Sequence, residues 1–295
     1  MSPRLSTQHS KLKTDAALVI FAKAPIPGQV KTRLCPPLTP DEAASLHGSF
    51  VLDALERSRD ERTRGRVTLN RVPLDRFVAC APSASHVFFK IIEERHGVRL
   101  LDQIGEDLGS RMDQAFRAIF GRGYQRVLVV GTDLPSLPGA CYTQAFSLLA
   151  DHDLVLGPSL DGGYYLIGLK RPAPELFVGI PWSTDRVFAL TQAKAEALGL
   201  KTGLLPAWRD VDTIDDLLVL IEEAGLNARG HGGSRVTGLR AGALRPAEAR
   251  HESPVRPSPL APSLSARTAG VLRLLATRLP ARTNGAGTRI AGLGC

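Results

Sequence analysis

Three permanent cations, Lys23, Lys31 and Arg33, fall within eleven positions directly after an apolar run, Leu18 to Ala22, that reads as a buried strand. Pro25, Pro27 and Gly28 stop that strand, so the cations occupy a loop at its carboxyl end. Lysine supplies a point charge and arginine a fork of donors. Together they suit a di- or triphosphate and can offset charge that develops on a leaving group. Gly28 would let such a ligand come close to the backbone. The competing explanation is a solvated basic turn. A P-loop is excluded, because Val30 stands where that motif needs its second glycine, and no Gly-x-Gly-x-x-Gly fingerprint opens the first turn.

Acidic candidates follow later strands. Arg126 to Val130 is apolar without alternation, as expected of a strand covered on both faces, and Gly131-Thr132-Asp133-Leu134-Pro135 comes straight after it. A carboxylate held there by a glycine and a proline turn suits a divalent ion bridging phosphate oxygens; capping of a turn is the structural alternative. The segment 153–156 reads as another strand leading to Asp161-Gly162-Gly163-Tyr164, where the paired glycines permit close backbone approach to a transferred group or simply make a tight hairpin. Asp161 is a candidate general base by position. In Asp210-Val211-Asp212-Thr213, helix capping and the helix dipole explain Thr213, Asp215 and Asp216. Asp210 and Asp212 are left over, and either could complete a Mg2+ or Mn2+ site. Ser183 is expected to cap a helix, and Trp182 and Met112 to pack in the core.

These loops need a scaffold. Thr39-Pro40-Asp41-Glu42 forms a capping box that opens a helix to Arg57, with Ala43, Leu46, Phe50 and Leu55 on its buried side. A charged insertion spans 57–76; a strand at 76–80, a helix at 85–96, a strand at 98–101 and a helix from Leu108 follow. Strands alternating with helices imply an α/β three-layer sandwich with a mostly parallel central sheet, whose ligands gather beyond the carboxyl ends of the strands.

The chain has 295 residues, 43% hydrophobic and 22% charged, with a formal charge of +8. That charge is local: residues 227–295 carry 11 Arg and 2 Glu, whereas residues 1–226 carry 26 basic and 27 acidic groups. A balanced folded region gives no general argument for nucleic-acid binding. The sequence therefore divides into a frayed N-terminus over 1–14, a folded domain over 15–226 and a Gly/Pro/Ala/Arg-rich tail over 227–295 expected to be disordered, in which only Val271 to Ala276 could form a helical turn or two. Four separated cysteines, the lack of a secretory cleavage pattern and the absence of a roughly 20-residue apolar span suggest a cytoplasmic protein.

Six motifs in order carry a resemblance. They are Phe21-x-Lys23-x-Pro25-x-x-Gly28-x-x-Lys31-Thr32-Arg33-Leu34, Gln103-x-Gly105-x-Asp107-Leu108-Gly109-x-Arg111-Met112, Gly131-Thr132-Asp133-Leu134-Pro135, Asp161-Gly162-Gly163-Tyr164, Trp182-Ser183-Thr184 and Asp210-Val211-Asp212-Thr213. Together they resemble the bacterial glycosyltransferase-like family associated with arsenosugar-biosynthesis and radical-SAM selenodomain genes, over about residues 16–226. The resemblance implies the GT-A nucleotide-diphospho-sugar transferase fold and kinship with 2-phospholactate guanylyltransferase. It implies that Lys23, Lys31 and Arg33 meet nucleotide phosphates and that Asp133, joined by Asp212, holds the metal; Gly28, Gly162 and Gly163 are donor-site candidates on their own account, as positions of close backbone approach. The expected activity is metal-dependent transfer from a nucleotide-activated donor, above all glycosyl transfer from a sugar nucleotide to a small acceptor. The alternatives are nucleotidyl transfer from a nucleoside triphosphate to a phosphorylated acceptor, and nucleotide binding without catalysis.

Overall fold

The computed structural model describes residues 14–59, 68–69, 72–226 and 264–279. Its centre is strand β1 (Ala16–Lys23), flanked in parallel by β4 (Asp75–Ala81) and β6 (Arg126–Val130). Outward from these lie β5 (Arg99–Asp102) on one side and β8 (Tyr164–Leu169), β7 (Leu154–Pro158) and β9 (Thr202–Leu204) on the other. The seven-stranded order is β5-β4-β1-β6-β8-β7-β9, and β8 runs against its two neighbours. The short strands β2 (Thr68–Leu69) and β3 (Val72–Pro73) pair separately inside the charged insertion; its residues 60–67 and 70–71 lie outside the described residues.

The sheet has a core on each face because β1 is apolar on both. Leu18 and Ile20 face one layer, with Val51 and Leu55 of α1 (Pro40–Arg57), Phe89 and Ile92 of α2 (Val87–His96) and Phe146 and Leu149 of α4 (Ala140–Asp151). Ala17 and Val19 face the other, with Met112, Phe116 and Ile119 of α3 (Leu108–Phe120) and Ala195 of α5 (Val187–Ala197). This is the expected three-layer α/β sandwich. The Thr39 capping box is present in full, and Ala43, Leu46, Phe50 and Leu55 are completely buried.

Two local expectations change, while Arg76 falls in a strand as expected. It lies in β4, 4% exposed, its two terminal nitrogens donating to the carbonyls of Leu55 and His96 and to Ser58 Oγ, so the strand buries a guanidinium whose terminal nitrogens have partners. Ser183 does not cap α5: it adopts a left-handed φ of 65°, and the helix starts at Val187 after Thr184 has closed a turn onto the Pro181 carbonyl. Within the tail expected to be disordered, α7 (Ala266–Ala276) is formed and capped by Ser265, whose Oγ accepts from the Thr268 amide. Leu272 and Leu275 pack with Leu46 and Phe50 of α1 and Leu217 and Leu220 of α6 (Ile214–Glu223). Arg267 and Thr268 both bond the fully enclosed Asp53 of α1. An apolar stripe and the ion pair of the enclosed Asp53 with a partly exposed Arg267 hold this segment, of which the sequence offered only 271–276 as a helical turn or two. The rest of the 227–295 tail, and residues 1–13 of the expected frayed terminus, lie outside the described residues.

Candidate active site at the carboxyl rim of the sheet

Asp133 follows β6 at its carboxyl end, beside the end of β1 that launches the cationic loop. Residues 208–212 reach it from β9 through two bonds: the Val211 amide donates to the Asp133 carbonyl at 2.9 Å, and Trp208 Nε1 donates to Ser136 Oγ at 3.0 Å. Trp208 also joins the turn after β7, since its amide donates to the Pro158 carbonyl and its carbonyl accepts from the Leu160 amide. Loops separated by up to 80 residues therefore share one backbone framework, and their carboxylates meet above it.

Lys31 closes the group. Its ammonium donates to Asp212 Oδ1 at 2.8 Å and the Val211 carbonyl at 2.7 Å, and lies 2.9 Å from Asp133 Oδ1. The Lys31 side chain is 4% exposed, against 39% for Asp133 and 37% for Asp212. Burial by itself would lower the Lys31 pKa; the two carboxylates overcome it and raise the pKa above the ordinary lysine value. Burial likewise opposes ionisation of Asp133, yet Lys31 and then His47 hold its carboxyl well below the usual carboxylate range. Both groups are charged at neutral pH.

His47 was not singled out by the sequence. It lies on the buried side of α1, with Nε2 3.0 Å from the Lys23 carbonyl and Nδ1 3.7 Å from Asp133 Oδ1. A carbonyl can only accept, so Nε2 carries a hydrogen. The ring thereby links the end of β1 to Asp133. Nothing in the spacing of a helix-interior histidine signals that role.

Asp161, Asp210 and Asp212 form a second acidic group, each offering one oxygen within 4.8 Å of the others. Asp161 sits on the turn between β7 and β8, its Oδ1 accepting from Ser159 Oγ and, at 2.9 Å, from the Gly163 amide. Gly162 (φ 90°) is required there, because a Cβ would overlap the Asp185 main chain. Burial, then Asp161 and Asp212, push the Asp210 carboxyl up to about 7. This cluster fits a divalent ion: three hard oxygen donors converge, and the repulsion that disfavours ionised Asp210 is what a cation would relieve.

The structure thus brings together Lys31, Asp133, Asp161, Asp210 and Asp212. The other candidates sit around this group without joining it. Lys23 is the last residue of β1 rather than part of the loop where the sequence put it, and Gly28 and Arg33 lie between β1 and α1; all three are exposed, and the side chains of Lys23 and Arg33 have no ion-pair or hydrogen-bond partner among the described residues. The Gln103-to-Met112 motif is scaffolding: Gln103 Nε2 donates to Ala22 and Ala79 carbonyls, Asp107 caps α3, and Arg111 Nε bonds the Gly105 carbonyl. Trp182 packs edge-on against Tyr164 and fills the space above Gly109.

No helix among the described residues is long and apolar enough to cross a membrane. No curated protein matches the sequence. A family model described as an uncharacterised protein conserved in bacteria, DUF2064, matches residues 66–184. Among solved structures, a Desulfovibrio desulfuricans G20 protein provisionally described as a nucleotide-diphospho-sugar transferase is 34% identical, covering 70% of this chain and 87% of its own, with a TM-score of 0.62. CMP:2-keto-3-deoxy-manno-octonic acid synthetase complexed with CTP is 11% identical over 68% of this chain and 95% of its own, TM-score 0.41. Rv0371C of Mycobacterium tuberculosis H37Rv, in complex with manganese, is 15% identical over 70% and 98%, TM-score 0.41. With the Desulfovibrio protein the chain shares its α/β fold and a 34% identity that extends over 87% of that molecule, and it belongs to the same family as that protein.

Proposed function

We propose that this protein is a divalent-metal-dependent transferase that uses a nucleotide-activated donor, with transfer of a sugar from a nucleoside diphosphate sugar as its reaction. The observation that carries the reading is the meeting of Lys31, Asp133 and Asp212 within 2.9 Å, beside Asp161 and Asp210, at the rim where open α/β sheets bind ligands. The description of the Desulfovibrio relative as a nucleotide-diphospho-sugar transferase supports the same reading.

In this reading Asp133 and Asp212, with Asp161 and Asp210, would hold Mg2+ or Mn2+, which supplies Lewis-acid stabilisation of phosphate charge. Lys23 at the end of β1 and Arg33 on the adjoining loop, both exposed, meet the donor's phosphates. Gly162 and Gly163 do not open main chain to the donor as the sequence suggested: Gly162 packs against the Asp185 main chain and the Gly163 amide holds Asp161, so both serve by shaping the turn that carries that carboxylate. Asp161, oriented by Ser159 and the Gly163 amide, is in this reading a ligand of the ion and not the general base that its position alone suggested.

The test is turnover by the full chain on panels of sugar nucleotides and nucleoside triphosphates, with Mn2+, Mg2+ or EDTA. Metal-dependent release of a nucleoside diphosphate from a sugar nucleotide is expected. Pyrophosphate release from a triphosphate in the presence of a phosphorylated acceptor would instead assign nucleotidyl transfer. A protein that neither turns over nor is thermally stabilised by any member of the panels would overturn the proposal.

A further inference from the structure

Lys31 occupies an unusual place for a phosphate-binding lysine. Lys23 at the end of β1 and Arg33 two positions beyond Lys31 are exposed, whereas the Lys31 side chain is 4% exposed and turned inward. The backbone enters this position in the left-handed region, φ 49° and ψ 35°, which side-chain-bearing residues rarely adopt. Three oxygens hold the ammonium there: Asp133 Oδ1 at 2.9 Å, Asp212 Oδ1 at 2.8 Å and the Val211 carbonyl at 2.7 Å. The Phe50 ring closes another side, its centroid 5.9 Å from Nζ. A compact cation surrounded by two carboxylate oxygens and a carbonyl is satisfied by the donor types that a hard metal ion also seeks. Asp212 is common to this cage and to the cluster with Asp161 and Asp210.

We infer that Lys31 is the resident counter-ion of Asp133 and Asp212 in the free protein, and that metal loading is an exchange in which Lys31 gives up both carboxylates. This rests on the reading that the rim takes a divalent ion. Two positive centres cannot share Asp133 and Asp212 at such distances without strong mutual repulsion, so the ion and the ammonium are competitors. The exchange would release the one buried lysine of the loop only when a metal is present, adding a third cation to Lys23 and Arg33 at the moment of donor binding.

The first test uses the wild-type full chain. Amine acylation with an N-hydroxysuccinimide ester, read by peptide mass spectrometry, should find Lys31 slow in EDTA and faster by about tenfold at saturating Mn2+, as an enclosed, paired amine becomes free. The second uses Lys31→Met, checked for native unfolding behaviour, with Mn2+ titrated calorimetrically. Its affinity should exceed the wild-type value by about tenfold, because the competing charge is gone. Mn2+ binding that leaves Lys31 labelling unchanged, or weaker Mn2+ binding by Lys31→Met, overturns the exchange while leaving the metal site standing. Failure of both proteins to bind Mn2+ overturns the metal reading and the exchange with it.

Discussion

Replacing Asp210 with asparagine should stabilise the metal-free protein at alkaline pH and leave it unimproved in acid. The Asp210 carboxyl is partly buried and shares a 4.8 Å cluster with Asp161 and Asp212. Burial, followed by those two neighbours, raises it from an ordinary 3.8 to about 7. In the unfolded chain it ionises near pH 4, so between about 4 and 7 the native state keeps a proton that the unfolded state has lost. A raised carboxyl of this kind contributes stability that is fully present below the unfolded value and is lost as pH climbs through the folded one. At about 1.36 kcal/mol per pH unit, the whole displacement corresponds to about 4 kcal/mol. Partial solvent contact and local relaxation reduce the expressed difference to about 1–2 kcal/mol.

Asparagine has nearly the same shape and no charge to suppress. Thermal unfolding in EDTA should therefore place Asp210→Asn about 3–6 °C above wild type at pH 8, with no advantage at pH 4. Adding Mn2+ should narrow the gap, since a cation relieves the same repulsion in the wild type and finds one fewer ligand in the variant. A gap independent of pH, or a variant less stable than wild type at pH 8 without metal, would refute the electrostatic account of the cluster.

Gly162→Ala forces a side chain into a left-handed backbone and against the Asp185 carbonyl carbon, 2.6 Å from the new Cβ; a loss of about 1–3 kcal/mol in denaturant unfolding, together with weaker Mn2+ binding through the displaced Asp161, is expected. Gly109→Ala puts a methyl into the Trp182 indole, so tryptophan emission should shift while β-sheet circular dichroism stays unchanged; an unaltered spectrum would mean that Trp182 is not seated on α3. Leu272→Ala empties a fully buried position between α1, α6 and α7 and should cost about 2–4 kcal/mol in chemical unfolding; no loss would show that α7 does not belong to the folded body.

What the sequence disclosed and what it withheld have separate physical causes. The layers were legible because β1 and β6 are apolar at consecutive positions, which only a sheet covered on both faces can accommodate. Asp133 was legible from its place after such a strand. Of α7 only 271–276 was legible, as a helical turn or two; its first half and its packing were not, because the surrounding residues suppress the average, and the usable signal was Ser265 as cap, followed by Leu272 and Leu275 three apart.

The distinction between Asp210 and Asp212 was missed for a different reason. Both flank Val211, which is 2% exposed, and alternation along an extended segment turns residues i and i+2 the same way, so the Asp-Val-Asp spacing presents two acids together. The spacing could have paired them with each other. It could not have supplied Asp161 or Lys31, because those arrive through Trp208, Pro158 and the Val211 carbonyl, contacts between loops 50 to 180 positions apart. Their assembly decides the chemistry available. A carboxylate cluster left to itself would shed charge by taking up protons, as Asp210 does at about 7, whereas the same cluster with Lys31 in its midst keeps Asp133 ionised. One buried ammonium therefore maintains, in the absence of any ligand, part of the negative charge that a metal ion would need on arrival.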